Sequence, residues 1–441
     1  MKIYLDSIGC RLNQSEIETI AGQFKAAGHF LVSSPDQADL AVVNTCAVTA
    51  AAASDSRGKI RQIAVTGCWS TLEPASAASL PGVSHVIPNA RKDRLVADLL
   101  QIPEETFDLE PVAREPVPGT RLRTRSFIKV QDGCDNRCTF CITTIARGRA
   151  RSRPLSQILA SARAAIADGA EKTGGAKELV LTGVHLGAWG QDLDPPRHLR
   201  DLVRAILANT DVPRLRLSSL EPWDLDDAFF SLWEDSRLCR HLHLPLQSGS
   251  AATLRRMARK TTPETFLDLV SAARRRIPNV AITTDLIAGF PSETEVEFAE
   301  TVEFVRQVQF AGGHVFPFSP RPGTAAARMP GQVPERIRKE RGRVLRTLLA
   351  ESACLYRQGF IGQNLPVLWE SLSAIDGEFW TLTGLTDNYL RVEARADRLL
   401  WNQITGVRLA AIEGDRFMGQ IIENEVSGQT HNIRTQRVLS D

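Results

Sequence analysis

The chain has no apolar run approaching the ~20 residues that a membrane-spanning helix needs, so no membrane span is expected. Its start, Met1-Lys-Ile-Tyr-Leu-Asp-Ser-Ile-Gly-Cys, lacks the apolar stretch of a secretory signal and reads as a strand. A cytoplasmic location is expected. In that compartment the eight cysteines are metal ligands or free thiols rather than disulfides. There is no internal repeat and no low-complexity tract. Gly169-Ala-Glu-Lys-Thr-Gly-Gly begins like a phosphate-binding loop, but the position of the required lysine is Gly175, and no ATP use is expected.

What is present is ordinary in bulk and uneven in detail. At 441 residues, 43% hydrophobic and 24% charged, the chain is sized for two or three globular domains. The net charge of +2 hides local imbalance. Arg114 to Arg153 holds ten Lys/Arg against three Asp/Glu, and Gly323 to Phe360 holds eight against three. Ile361 to Val426 is acidic, with five against ten. The basic stretches suit a polyanion such as RNA, or form a solvated face; charge alone leaves both open.

The first hundred residues alternate strand and helix. Strands are expected at Lys2–Ser7, Asp39–Asn44, Ile63–Thr66 and Val83–Ile87, with helices at Gln14–Ala27, Ala51–Gln62 and Arg94–Leu100. This pattern implies a parallel α/β sheet over residues 1–105. A Pro- and Glu-rich stretch from Pro103 to Thr120 reads as a linker, placed at 106–120. A second series follows in 121–358, with strands near Ser126–Gln131, Glu178–Leu181, Arg214–Ser218, His241–Leu246, Val280–Ile287 and Gly313–Phe318. Helices at Leu199–Ala208, Pro263–Arg276 and Glu295–Val308 separate some of them, and a basic helix runs from Pro334 to about Gln358. Six such units suit a partial (β/α)6 barrel with chemistry at the carboxyl ends of its strands. Residues 361–426 carry short β runs at Val367–Glu370, Phe379–Leu385, Tyr389–Val392, Gly406–Ile412 and Phe417–Glu423, which suggest a small β-barrel. Residues 427–441 form a tail.

The strongest local signal is Gln131-Asp-Gly-Cys-Asp-Asn-Arg-Cys-Thr-Phe-Cys, a C-x3-C-x2-C triad of Cys134, Cys138 and Cys141 without a fourth cysteine or histidine nearby. Three thiolates can hold three corners of a [4Fe–4S] cube and leave one iron open, whereas an electron-transfer cluster takes four cysteines. Zinc is the rival and needs a remote fourth ligand, the next histidine being His185. Cys10, Cys46 and Cys68 each follow an expected strand of the first sheet. They either converge at the strand ends on one ligand or are small buried hydrophobes. Cys239 and Cys354 have no such company and read as structural thiols. The run Arg147-Gly-Arg-Ala-Arg-Ser-Arg-Pro spaces Arg147, Arg149, Arg151 and Arg153 with small residues. It suits phosphate binding and base stacking, or is an arginine-rich surface strand.

On these residues the chain resembles the radical S-adenosylmethionine (SAM) methylthiotransferase family over about residues 1 to 425. Gly9-Cys-Arg-Leu-Asn-Gln, Val43-Asn-Thr-Cys-Ala-Val-Thr, Gln131-Asp-Gly-Cys and Ala146-Arg-Gly-Arg-Ala-Arg-Ser-Arg-Pro carry the likeness. So do Leu181-Thr-Gly-Val-His-Leu-Gly, His243-Leu-Pro-Leu-Gln-Ser-Gly-Ser and Phe316-Pro-Phe-Ser-Pro-Arg-Pro-Gly-Thr, which are similar to the MtaB-type subgroup. The resemblance implies that the subgroup's activity, methylthiolation of carbon 2 of N6-threonylcarbamoyladenosine at position 37 of tRNA, is this chain's too. It implies that the triad's open iron chelates SAM and that one-electron reduction yields a 5′-deoxyadenosyl radical. That radical takes hydrogen from carbon 2 of adenine. A second [4Fe–4S] cluster on Cys10, Cys46 and Cys68 delivers a methylated sulfur, with the methyl group from a second SAM.

The likeness also implies SAM contacts from Thr182, Gly183, Ser219, Glu221, Gln247 and Asp285, all near expected strand ends. Asn13 and Asn44 are implied beside the second cluster. An electron donor such as flavodoxin or ferredoxin, a tRNA partner and a monomer are expected. Two features depart from the family. The Cys46 to Cys68 segment is about a dozen residues short, although twenty-one residues suffice for a parallel crossover. The last domain resembles an RNA-binding TRAM barrel yet is acidic, so RNA affinity is expected from Arg147–Arg153 and from the helix bearing Arg336 and Arg343. The rivals are the same chemistry on isopentenyladenosine or on a ribosomal-protein aspartate, and a non-catalytic iron–sulfur RNA-binding protein.

Overall fold

The computed structural model describes residues 1–46, 62–103, 124–167, 175–376 and 379–422. The expected helix Ala51–Gln62, the linker, the loop after Gly169 and the tail lie largely or wholly outside these residues. Among the described residues no helix is long and apolar enough to cross a membrane.

Strands β1 (Lys2–Ser7), β2 (Phe30–Val32), β3 (Leu40–Thr45), β4 (Gln62–Gly67) and β5 (Val83–Ile87) form a parallel sheet in the order β2-β1-β3-β4-β5. Every residue of β3 is buried, as a central parallel strand covered on both faces requires. The helix Arg11–Ala26 lays Ile17, Ile20 and Phe24 onto this sheet. Its Ser15 hydroxyl donates to the Phe127 carbonyl at 2.8 Å and accepts from the Lys129 amide at 3.2 Å. The N-terminal sheet thus covers an edge of the next unit and satisfies its unpaired backbone.

That next unit begins with β6 (Arg125–Lys129), which is followed by a short antiparallel pair, β7 (Gln131–Asp132) with β8 (Arg151–Ser152). Parallel strands β9 (Glu178–Thr182) and β10 (Arg214–Leu217) join β6 in the order β10-β9-β6. Strands β11 (His241–His243), β12 (Ala281–Ala288) and β13 (Gly312–Pro317) form a second parallel group. Bridges Leu215↔Leu238 and Ser219↔His243 join the two groups into one six-stranded wall whose edge strands are β6, covered by the first helix, and β13. The expected partial barrel is therefore present. Its outward side chains, such as Leu179, Leu217, Leu242 and Ile282, pack under the helices. Its inward ones are polar: Glu178, Arg216, His241, His243, Thr283 and Asp285. A filled (β/α) barrel carries branched aliphatics there; this interior is built for polar occupants.

The basic helix Glu335–Gln358 leads to a closed barrel. Its strands are β14 (Asn364–Asp376), β15 (Phe379–Thr386), β16 (Arg391–Ala396), β17 (Ile404–Glu413) and β18 (Arg416–Ile421), in the order β14-β15-β16-β18-β17. The turn between β15 and β16 enters the amino-end mouth of the central barrel. Arg214 and Arg216 donate to the carbonyls of Leu385, Thr386 and Asp387, and Arg240 clasps the Asp387 carboxylate at 2.6 and 2.9 Å. Tyr389 stacks on His241 at 4.6 Å, and Arg11 of the first helix donates to its hydroxyl at 2.6 Å.

Candidate functional site

The triad cysteines lie in the loop between β7 and the short helix Thr143–Arg147. Gly133 opens that loop at φ +70°, where an added Cβ would stand 1.9 Å from the Arg149 carbonyl oxygen; only glycine lets the two limbs approach. Cys134, Cys138 and Cys141 line one cavity of about 670 Å³, together with Asn136, Thr144, Arg149 and Gly323. Each sulfur receives at least one N–H donor. Asn136 N lies 3.4 Å from Cys134 Sγ, Thr143 N 3.4 Å from Cys141 Sγ, and Arg259 Nη1 3.8 Å from Cys138 Sγ. Such donors stabilise thiolates bound to iron. Among the described residues no three Cys, His, Asp or Glu close tightly enough to hold a single metal ion. Three soft sulfur donors on one cavity wall, with N–H groups aimed at them, are the donor set that an iron–sulfur cluster takes.

Cys10, Cys46 and Cys68 stand at the carboxyl ends of β1, β3 and β4, which are adjacent in the sheet. Across the shortened segment the register pairs Thr45 with Gly67, so Cys46 and Cys68 each follow a paired residue at the ends of neighbouring strands. Gly9, at φ +144°, presses against Cys46, and a Cβ there would meet the Cys46 Cβ at 2.8 Å. All three thiols reach solvent, Cys10 most of all. Two asparagines tie them to the helix behind the triad. Asn89 Nδ2 donates to the Ala146 carbonyl at 2.8 Å and faces Cys68 Sγ at 3.6 Å. Asn13 Oδ1 lies 3.6 Å from Cys10 Sγ and accepts from Arg147 at 2.8 Å.

Arg147 is a correction to the surface run of arginines. It is 4% exposed and donates to Glu16 at 2.9 Å and Asp132 at 3.0 Å. Glu16 is also held by Lys92 at 2.7 Å and Lys129 at 3.2 Å, and Asn44 donates to it at 3.2 Å. Burial opposes the Glu16 charge, but Lys129, Lys92 and Arg147 together hold its carboxyl well below the usual range. Arg153 is turned inward too, donating to the Lys129 carbonyl and Ser161. Arg149 and Arg151 remain exposed, as do Arg336 and Arg343 on the late helix. The alternation misled because Arg147 belongs to a helix and only Arg151 to a strand.

The six positions expected to contact SAM fall around the carboxyl ends of the barrel strands, but several are already engaged. The Thr182 hydroxyl donates to the Ile128 carbonyl at 3.2 Å, and Gly183 lies against Gln131. Ser219 is exposed, and Gln247 holds φ +76° beside β12. Glu221 pairs with Arg259 at 2.7 Å. Asp285 pairs with His243 and His314, each at 3.2 Å.

Three residues went unread in the sequence. Arg259 lies twelve positions beyond Gln247 with no local signal; it is buried, stacks on Trp223 at 4.5 Å and reaches Cys138. His185, expected only as the remote fourth ligand of a zinc site, donates Nε2–H to Asp224 at 2.6 Å. Burial opposes its protonation, but bonds to Asp224 and Cys134 push its pKa up to about 10. Asn89 had no motif around it. The two remaining cysteines stand apart from both trios. Cys239 is fully buried against Glu178, and burial pushes its thiol up to about 12; Cys354 sits on the basic helix beside Gln358.

A family model described as the radical SAM superfamily matches residues 128–305, and one described as Uncharacterized protein family UPF0004 matches residues 2–87. The solved structure of the radical SAM methyltransferase TsrM from Kitasatospora setae shares the fold, with a TM-score of 0.55 at 15% identity over 74% of this chain and 75% of that one. An open parallel barrel with three cysteines behind its first strand thus defines a radical-SAM enzyme. Threonylcarbamoyladenosine tRNA methylthiotransferase MtaB of Bacillus subtilis (strain 168) is 34% identical over 96% of this chain and 97% of its own length. That of Thermotoga maritima is 37% identical over 90% and 92%. The tRNA-2-methylthio-N(6)-dimethylallyladenosine synthase of Bacillus pumilus is 31% identical over 96% and 87%. The chain belongs to the radical-SAM methylthiotransferase family, MtaB type. It is an enzyme transferring a sulfur-containing group, with SAM and [4Fe–4S] clusters as cofactors.

Proposed function

We propose that this enzyme methylthiolates carbon 2 of N6-threonylcarbamoyladenosine at position 37 of tRNA in the cytoplasm, using two SAM and two [4Fe–4S] clusters. The observation that carries the reading is the pair of cysteine trios held against one helix. Asn13 and Asn89 join Cys10 and Cys68 to Arg147 and Ala146, directly behind the triad. The MtaB relatives carry threonylcarbamoyladenosine and tRNA in their names.

Cys134, Cys138 and Cys141 would hold the SAM-binding cluster, and Cys10, Cys46 and Cys68 would hold the second. When bound, these groups and SAM supply a carbon-centred radical for carbon 2 and the sulfur and methyl group that replace its hydrogen. The chain's own work is to bind, orient and keep water away. Arg259 offers a buried cation to the SAM carboxylate beside Cys138, with Glu221 fixing its direction. Thr182, Gly183, Ser219, Gln247 and Asp285, around the carboxyl ends of the strands, would face the adenosyl part. Arg149, Arg151, Arg336 and Arg343 bind tRNA phosphates. A small redox protein such as flavodoxin or ferredoxin delivers the electron to the monomer.

The test uses anaerobically reconstituted enzyme, SAM, dithionite and tRNA bearing either threonylcarbamoyladenosine or isopentenyladenosine. Nucleoside mass spectrometry should find the 2-methylthio product on the first alone, from protein holding about eight irons per chain. Product on isopentenyladenosine alone, or on neither, rejects the substrate. About four irons per chain rejects the second cluster.

A further inference from the structure

We infer that His314 and Phe316 dock the target adenosine, with His314 reading the carboxylate of its N6 substituent. The inference rests on the proposed substrate and deepens it. It starts from the alternation of the last two barrel strands. On β12, Ile282, Leu286 and Ala288 belong to the core under the helices, so Thr283 and Asp285 face the interior. On β13, Val315 packs against that same core, so His314 and Phe316 face inward with Asp285. Because β13 is an open edge, these inward side chains still meet solvent: Phe316 is 52% exposed and the His314 side chain 72%. A large aromatic ring and an imidazole thus line the entrance to a polar barrel.

Their arrangement suits a modified purine. The two rings lie 6.2 Å apart and tilted by 32°, side by side along the strand. An exposed aromatic face offers stacking to an unpaired base, and such stacking is tolerant of base identity. Asp285 Oδ1 takes His314 Nδ1 at 3.2 Å, which orients the ring and leaves Nε2 on its far side from that contact. The other oxygen of Asp285 is held by His243 at 3.2 Å, so the clamp is itself anchored. Nε2 is the ring atom left to meet a carboxylate, as an N–H donor. An apolar substituent would cover the same polar wall and leave it unpaired, which is unfavourable. The wall also leads to the radical source. Two residues beyond Phe316, Phe318 packs with Phe140 of the triad loop, and the Ala326 amide donates to the Thr139 carbonyl at 2.9 Å. Gly323, Thr324 and Ala325 of this return loop line the cysteine cavity.

The test measures binding of reconstituted enzyme to two anticodon stem-loops, one bearing threonylcarbamoyladenosine and one plain adenosine. Wild-type protein should favour the modified loop at least tenfold. His314→Ala should erase that preference by weakening the modified loop alone, with His314→Gln retaining part of it. Phe316→Ala should weaken both loops together. Undiminished preference in His314→Ala overturns the inference, and so does wild-type protein that binds both loops equally. Product formation by wild-type enzyme on the modified loop judges the parent reading separately. Product without His314-dependent preference sinks only the inference.

Discussion

At the scale of single residues, the centre of this molecule is a carboxylate. Glu16 is buried among Lys92, Lys129 and Arg147, with Asp132 as the second buried anion. These side chains come from both sides of the seam between the N-terminal sheet and the barrel, and they back Asn13 and the triad helix. Removing one member leaves buried charge uncompensated, which costs about 3–5 kcal/mol. Glu16→Gln should therefore lower stability by that order at neutral pH, measured by urea unfolding. The acid limb follows from the depressed acidity of Glu16 and Asp132. A carboxylate with a folded-state pKa below its unfolded value, about 4.3 for Glu, stabilises fully above that value and loses its contribution as pH falls through the folded one. Glu16→Gln should consequently show a shallower loss of stability below about pH 4.3 than wild type. An equal acid slope in both proteins would assign the effect elsewhere. None of this was legible in the sequence, because Glu16 and Arg147 are 131 positions apart and no local pattern joins them.

At the scale of elements, legibility followed local chemistry. The helices Pro263–Arg276 and Glu295–Val308 end where expected, because Thr262 and Thr294 cap them and Pro263 and Glu297 mark their first turns. Errors came where a neighbour or a turn overrides the pattern. β2 is only three residues long and was missed. The strand expected to reach Leu246 stops at His243, two residues before Pro245, which has no amide to donate. Tyr389, expected in a strand, has φ +70° and belongs to the turn that enters the barrel. The basic helix Glu335–Gln358 was readable, and its two faces divide the labour. Leu345 and Leu349 are buried, while Arg336, Lys339, Arg343 and Arg346 are exposed. If the exposed face binds phosphates, the double variant Arg336→Gln, Arg343→Gln should bind tRNA more weakly and lower the log–log salt slope by about 2. An unchanged slope would remove this helix from the RNA interface.

At the scale of the whole molecule, the three folded units are joined through the turn between β15 and β16. The acidic C-terminal barrel was expected to be a poor phosphate binder; the structure gives it a mechanical part. Its turn closes the amino-end mouth of the radical barrel, with Arg214, Arg216 and Arg240 holding Leu385, Thr386 and Asp387. Arg216 is doubly committed, since it also forms a fully buried pair with Glu178 at 2.6 Å. Tyr389 completes the seal by stacking on His241 and receiving Arg11, the neighbour of Cys10. One turn thus touches the barrel floor and the helix that follows Cys10. Asp387→Ala removes a bidentate, mostly buried carboxylate from Arg240 and should cost about 1.5–3 kcal/mol. The loss should not stay local. Hydrogen exchange should rise in β10, β11 and the β15–β16 turn together, because each arginine loses part of the geometry that orients the others. If exchange rises only within the C-terminal barrel, the turn is a passive contact and the three units are held by other seams.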